Sequence, residues 1–379
     1  VIEALGHPRV AALTATASPP VRQEIVERLR MREPRIVVHG FDRPNIHLAV
    51  EGFSDEKDKR QALIARVVDA SKPGIVYAAT RKHTEELAAE LGGQGVNAVA
   101  YHAGMGAGER VRIQETFMSD AADVIVATTA FGMGVDKFNV RFVYHLDVSE
   151  SVDAYYQEIG RAGRDGEPAE AVLFFRPEDL NLRRFLAGSG QVDAEQMAQV
   201  AEVAQNATEP LRIEEIGDEV DLSQTKVAIA LNRLEEVGAV DVLPSGEIVK
   251  PANGGVAGAV EEAAEAQEAL RKFARSRIEM MRGYADMTDC RREYILNYFG
   301  EVYTPPCDNC DNCLSGLSVA KPPTAQPFPI NSQVVHKVWG PGLVMRYAGD
   351  TIVVLFDSVG YRTLAIDLVM SEGLLAPGL

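Results

Sequence analysis

The sequence predicts an α/β, parallel-sheet domain, followed by a helical segment, a four-cysteine metal module and a small all-β tail. Three observations carry this reading. Strand and helix patterns alternate from about residue 72 to residue 175, the four cysteines all fall between Cys290 and Cys313, and short β-branched runs joined by glycines follow Val334. Apolar β-branched strands separated by helices belong to a parallel sheet covered on both faces. Composition sets the outer limits. At 379 residues the chain needs several domains, and 46% hydrophobic with 25% charged residues suits folded globular protein. No apolar run approaches the ~18–20 residues that span a bilayer. The opening residues, Val1 to Pro8, lack the basic and apolar pattern of a secretory leader. A membrane role is therefore excluded and a cytoplasmic setting expected. The net charge of −17 means that nucleic-acid contact has to be local.

Taken in order, residues 1–48 read as the tail of a preceding lobe. They comprise an apolar run at 10–13, Thr14-Ala15-Thr16-Ala17, a helix opened by Pro19-Pro20 and reaching Arg30, and a strand at 35–39. Residues 49–180 carry the alternation, with strands at 74–79, 96–101, 123–127, 140–146 and 171–175 and helices at 82–91, 109–118 and 152–161. Residues 181–258 give a helix at 213–220, a second at 224–237, a Gly238 stop and a hairpin at 240–249 turning at Pro244-Ser245-Gly246. Helix, helix and two-stranded wing form a winged-helix pattern. Residues 251–258 read as a flexible joint. Residues 259–318 hold a long helix at 260–284 and the cysteines, residues 319–330 a Pro-rich linker, and residues 331–379 the β tail.

The sharpest string is YYQEIGRAGRDG, residues 155–166. Arg161 and Arg164 stand one helical turn apart, so both guanidinium groups leave the same side. Convergent arginines beside open glycine backbone suit a polyphosphate; the bland alternative is a pair of surface arginines bonded to Glu158 or Asp165. Upstream, VIVATTAFGMGVDK (124–137) runs a strand into Thr128 and Thr129, a turn containing Gly132 and Gly134, and then Asp136. Hydroxyls and backbone N–H groups at a strand's carboxyl end make a nucleotide or phosphodiester site. Tyr101-His102-Ala103-Gly104-Met105 follows a strand in the same way.

Together with Thr14 to Ala17, these strings resemble superfamily-two helicases, and most closely the RecQ family of ATP-dependent DNA helicases. The resemblance covers about residues 10–180 and 285–315. It implies a RecA-like fold, with residues 1–48 the tail of the first lobe and 49–180 the second lobe. Thr14 to Ala17 becomes the motif linking nucleotide state to strand movement. Thr80, Arg81, His102, Gly104, Met105, Thr128 and Thr129 would face single-stranded DNA. Gly134, Asp136 and Gln157 would bind ATP, Arg164 would serve as the arginine finger and Arg161 would contact the γ-phosphate. Travel would be 3′ to 5′. The sequence contains no Gly-Lys dipeptide and no Asp-Glu-x-His, so the lysine and acids that hold ATP and Mg²⁺ are expected outside it. The chain is expected to be inactive alone. The competing expectation is a non-enzymatic DNA- or RNA-polymerase-binding adaptor.

The cysteine spacing, Cys290-x16-Cys307-x2-Cys310-x2-Cys313, lets four thiolates close a tetrahedral site. No histidine lies between residues 146 and 335, so the donors select structural Zn²⁺ first, with an iron–sulfur cluster or disulfides behind it. CRREYILNYFGE and CDNCDNCL resemble the RecQ zinc module. In that family a winged helix follows the zinc module; here the pattern precedes it. From Glu202 to Lys250 eleven acids face four bases, a net of −7, which opposes phosphate contact and favours a scaffold or protein-docking role. The basic stretch Arg271 to Arg292 is the better candidate for a duplex junction, with a solvated helix face as the alternative. The tail resembles the Tudor-like barrel of UvrD-type helicases, modules associated with RNA polymerase, and Trp339 is either core or an exposed partner anchor. The expected location is the bacterial cytoplasm, at the nucleoid.

Overall fold

The computed structural model describes Gly6 and residues 8–132, 135–188, 192–207, 209–243, 245–251, 258–318 and 326–378. The chain divides into two units, residues 1–183 with 276–379, and residues 184–275. Gly134, Pro244, most of the joint at 251–258 and much of the linker at 319–330 lie outside the described residues.

The chain opens with α1 (Pro19–Arg28), then alternates β1 (Ile46–Gly52), α2 (Glu56–Asp69), β2 (Gly74–Tyr77), α3 (Arg81–Gly93), β3 (Ala98–Tyr101), α4 (Ala107–Met118), β4 (Val124–Ala127), β5 (Phe142–His145), α5 (Val152–Ile159), β6 (Ala169–Phe175) and α6 (Asp179–Gly188). The six strands form one parallel sheet in the order β1-β6-β5-β2-β4-β3. GIVY, VIVA and FVYH, three of the four inner strands, are buried along their whole length, as β-branched and aromatic runs covered on both faces must be. Side-chain oxygens cap the helices: Asp55 accepts from Lys57 and Asp58, Thr80 from His83, and Ser151 from Ala154. Gly74 lets the Phe142 ring lie against its backbone, since a Cβ there would sit 2.0 Å from the ring.

Residues 35–39, expected as a strand, form none, and Ile36, Val37 and Val38 stay exposed. The sheet of this unit offers them no free edge at β1. The outer side of β1 is taken by the cysteine loop: Leu48 bridges Cys310, its N–H reaches Asn309 O at 3.3 Å, and the Val50 N–H meets Asp311 Oδ2 at 2.8 Å. A covered edge has no donors left to recruit another strand.

In the second unit, α7 (Ala194–Asn206), α8 (Ile213–Val220) and α9 (Gln224–Glu236) pack around Val200, Ile216, Leu231 and Leu234. A hairpin of β7 (Asp241–Val242) and β8 (Ile248–Val249) closes on them through the Leu211–Ile248 bridge. The long α10 (Ala259–Asp286) leads to α11 (Arg291–Tyr298) and the short α12 (Asp311–Leu314). The tail is a five-stranded antiparallel sheet of β9 (Gln333–His336), β10 (Gly340–Ala348), β11 (Thr351–Phe356), β12 (Gly360–Ala365) and β13 (Leu375–Pro377), ordered β12-β11-β10-β9-β13. Before β13 comes α13 (Ile366–Ser371); neither was anticipated, because each is too short to show a period. Trp339 stacks on His336 with centroids 4.2 Å apart and meets Phe356 edge-on, half-buried against the sheet's core.

A buried carboxylate ties the ends of β2 and β5 to α3. Asp147 receives the Ala79 N–H at 2.7 Å and meets His83 Nδ1 at 3.1 Å. Burial opposes its ionisation, but these bonds and the nearby Lys59 prevail and hold its carboxyl below the ordinary 3.8. The bond to Asp147 lifts His83 above 6.5 against burial. The His83 contribution to stability is complete below 6.5 and fades as pH rises through its raised folded value. The Asp147 contribution is present above 3.8 and lost as pH falls through its depressed one. The pair therefore stabilises most between those two limits. Asp147→Ala should lower the unfolding free energy by about 1.5–3 kcal/mol in urea melts at mildly acidic pH, and should move the His83 NMR titration midpoint down; unchanged melts and an unmoved midpoint would refute this account.

Candidate nucleotide, strand and metal sites

The string 155–166 folds as the end of α5 and the turn after it. Serine at the N-cap and tyrosines facing inward, with Tyr155 fully buried, set the helix against the sheet. The helix stops at Gly160, and the chain reverses through Gly163 at φ +54°, a left-handed conformation that favours glycine. From this turn Arg161 and Arg164 both reach the segment that leaves β4. Arg161 Nη1 donates to Gly132 O at 2.7 Å; Arg164 donates to Val135 O at 3.2 Å and pairs with the Asp136 carboxylate. The Asp136 side chain is 63% exposed and that of Arg164 31%, so solvent or a competing anion has access to this ion pair. Among the described residues neither guanidinium bonds the carboxylate of Glu158 or Asp165, the partners of the surface-pair alternative; the Glu158 carboxylate takes His145 and Ser149, and that of Asp165 takes Arg141. A Cβ on Gly132 would lie 2.9 Å from Arg161 Nη2, which explains a glycine there. The Tyr77 hydroxyl donates to Phe131 O at 3.0 Å; burial raises its pKa, and the neighbouring Arg161 opposes that rise.

Of the other residues expected at the nucleotide, Asp136 and Gln157 are described. Gln157 is exposed and its amide donates to Thr16 Oγ1, which joins the Thr14-to-Ala17 string to α5. Asp136 is engaged with Arg164 rather than open.

The residues expected to face a strand sit in three loops that follow β2, β3 and β4, adjacent strands in the order β2-β4-β3. Arg81 and Thr129 are exposed, Met105 and Thr128 partly so. Gly104 lies under Arg81, where a Cβ would sit 2.7 Å from Nη1. Two expectations need correction. The His102 ring is 5% exposed and bonded through Nε2 to Glu85 at 2.9 Å, so it stands behind the loop rather than on its surface. The Thr80 hydroxyl is spent on the α3 cap. Both side chains support the loops from within.

The four cysteine sulfurs lie within 4.8 Å of one another, with Cys307 and Cys313 3.9 Å apart. A tetrahedral zinc with Zn–S near 2.3 Å needs sulfurs about 3.8 Å apart, so the donor set fits. Shared hydrogen bonds push the Cys290 thiol pKa up and the Cys307 thiol down to about 3. Four sulfurs this close can all ionise together only around a cation. Cys290 and Cys310 are buried, and all four positions of a tetrahedron are filled by sulfur, which leaves no place for a reacting ligand.

Arg291 and Arg292, expected on a duplex-facing surface, are 3% and 4% exposed. Arg291 binds Asp311 at 2.5 Å and Tyr284 O at 2.7 Å; Arg292 binds Asp42 at 2.5 Å and Ile46 O at 2.9 Å. They hold the cysteine loop and α11 against β1 and are not a nucleic-acid patch. The sequence also concealed Arg43 and Asn45, whose side chains bond the backbone of the 160–167 turn. An Arg-Pro-Asn string in an irregular stretch carries no periodic signal that would have marked them.

Comparison with known proteins agrees with this geometry. Residues 58–166 match the helicase conserved C-terminal domain, and residues 256–314 the RecQ zinc-binding domain. The ATP-dependent DNA helicase RecQ of Pasteurella multocida is 34% identical over 81% of this chain and 37% of its own length. The probable ATP-dependent DNA helicase RecS of Bacillus subtilis is 33% identical over 83% of this chain and 61% of its own length. The chain thus spans less than two thirds of either relative. Among solved structures, the E. coli DEAD-box protein SrmB aligns with 25% identity and a TM-score of 0.34, over 37% of this chain and 82% of that one. A helicase C-terminal domain joined in one chain to a RecQ zinc module whose four sulfurs converge places this chain in the RecQ family of superfamily-two helicases.

Proposed function

We propose that the chain supplies the second RecA-like lobe and the zinc brace of an ATP-dependent DNA helicase that travels 3′ to 5′ at the bacterial nucleoid. One observation carries the reading most: Arg161 and Arg164 leave a single turn together and bear on the segment that leaves β4, with Arg164 accessible. Two guanidinium groups so aligned can meet the charge that builds on a transferring phosphoryl group. Arg164 acts as the finger and Arg161 as the γ-phosphate contact. Asp136 holds Arg164 until phosphate competes for it, and Gln157 reports through Thr16. A partner lobe carrying a Gly-Lys-Thr loop and an acid pair holds ATP and Mg²⁺ on the other side, since no Gly-Lys occurs in this sequence.

Exposed Arg81, Gly104 and Thr129 track the phosphates of a single DNA strand, and closure of the cleft on ATP moves that strand. Structural Zn²⁺ on Cys290, Cys307, Cys310 and Cys313 keeps α11 on the sheet edge. The second unit is read as a winged helix that docks protein rather than DNA, on its net charge of −7 from Glu202 to Lys250. The C-terminal sheet is read as a Tudor-like module for RNA polymerase or another protein.

Three outcomes test this. The purified chain should show no DNA-stimulated ATP hydrolysis in a phosphate-release assay, whereas the same chain joined to a Gly-Lys-Thr-bearing lobe should; hydrolysis by the chain alone would sink the two-lobe reading. In the two-lobe protein, Arg164→Ala should cut kcat by on the order of 10³–10⁵ while nucleotide still binds. Metal analysis should return one zinc per chain, and chelation should expose residues 290–314 to protease, because metal binding and folding of such modules are one equilibrium; a chain that stays protected without metal would overturn the structural role.

A further inference from the structure

We infer that Arg43 and Asn45 are positioning residues for the two phosphate-facing arginines, acting on the backbone of the turn that bears them. Arg43 Nη1 donates to Gly160 O at 3.0 Å, and its Nη2 donates to Ala162 O at 2.8 Å and Gly163 O at 3.0 Å. The Asn45 amide donates to Gly163 O at 2.8 Å and Glu167 O at 2.9 Å. Asn45 O then accepts the Ala169 N–H at 3.0 Å, which ties the same residue to the first residue of β6. Four of the carbonyls between residues 160 and 167 are thus fixed by two side chains from the stretch before β1.

The physical need is specific. A helix ends with carbonyls that have no partner within it and with the negative end of its dipole. Here the chain must also reverse at once, through Gly163, to return Arg164 toward Val135 and Asp136. A planar guanidinium offers several donors in a fixed fork, so one side chain can hold three carbonyls in a set relation. A lysine carries the charge on one nitrogen and lacks the planar fork that sets two nitrogens against separate carbonyls. The fit is close: a Cβ on Gly163 would lie 2.4 Å from Asn45 Nδ2 and 2.8 Å from Glu167 O. Arg43 itself is half-buried beside Phe41, Tyr156 and Ile159, and among the described residues it bonds none of Gly132, Val135 and Asp136, the residues that Arg161 and Arg164 contact. Burial lowers its pKa, and repulsion from Arg164 adds to that, so the clamp and the finger sense each other's charge without touching.

This inference rests on the helicase reading, and its test separates the two. In the protein that carries this chain together with its nucleotide-binding lobe, Arg43→Ala should lower kcat for DNA-stimulated ATP hydrolysis by about 100-fold, the scale of an ångström-level misplacement. KM for ATP should stay within about twofold, since the Gly-Lys-Thr loop of the partner lobe carries most of the ground-state binding. Arg43→Lys should recover only part of the loss, and Asn45→Ala should fall between. Arg164→Ala is run alongside. If Arg164→Ala abolishes turnover while Arg43→Ala and Arg43→Lys keep wild-type kcat, the positioning role is wrong and the helicase reading stands. If Arg164→Ala turns over normally, the helicase reading itself fails. Should Arg43→Ala not fold, Arg43→Lys decides alone: a lowered kcat at unchanged KM and melting temperature supports the role, while an unchanged kcat or a raised KM overturns it.

Discussion

Two buried cations hold the first unit together. Arg291 and Arg292 stand side by side at the start of α11, almost without solvent, and a buried guanidinium is tolerable only when its donors are met by charge and carbonyl together. Arg291 joins Asp311 in the cysteine loop to Tyr284 O at the end of α10; Arg292 joins Asp42 to Ile46 O at the start of β1. Burial would lower the pKa of both, but their carboxylate and tyrosine or cysteine neighbours raise it on balance, so both remain charged. Arg292 also sits beside the Cys307 thiol and favours its ionised form. The metal site and the sheet edge are therefore coupled through charge, in the manner that outer groups orient and tune metal ligands.

That coupling extends toward the nucleotide side through two neighbouring residues. Asp42 faces Arg292 and the cysteine module, while Arg43 faces the turn of Arg161 and Arg164. The backbone between them cannot shift for one without moving the other. On this view the zinc module is mechanical in a definite sense: it fixes where the stretch before β1 begins, and that stretch fixes the carbonyls on which the arginine-bearing turn rests. A second tie runs from the far end of the same helix, where Tyr298 meets both Asp153 in the first turn of α5 and Tyr361 in the C-terminal sheet. Arg346 adds to it by lying over the Tyr294 ring at 3.9 Å.

The sequence made some of this legible and hid the rest for physical reasons. The inner strands could be read because burial on both faces demands an unbroken apolar run, and the cysteines because ligand spacing is local. Arg291 and Arg292 misled. A basic pair on a helix looks like a surface patch unless its partners are known, and Asp42 lies 250 residues away from Arg292. His102 misled in the same way, its place in a loop motif suggesting exposure although Glu85 holds it inside. Residues 35–39 have the composition of a strand and no edge to join. In each case the deciding term is tertiary, a contact made or missing that local periodicity does not reveal.

Charge supplies the remaining argument. A chain at −17 repels DNA at a distance, so whatever draws a strand must be local and must not be neutralised by the chain's own acids. The buried arginines satisfy themselves internally and contribute nothing outward. Arg164 differs because its partner, Asp136, is mostly in solvent, and exposed ion pairs are worth little, roughly 0–1 kcal/mol. A pair this weak can give way to an anion whose several oxygens offer bidentate contacts, as the proposed finger role requires. A buried partner would lock the arginine away, and none at all would leave it disordered. Arg291 and Arg292 are deeply paired and build the frame, whereas Arg164 is shallowly paired and stays within reach of solvent.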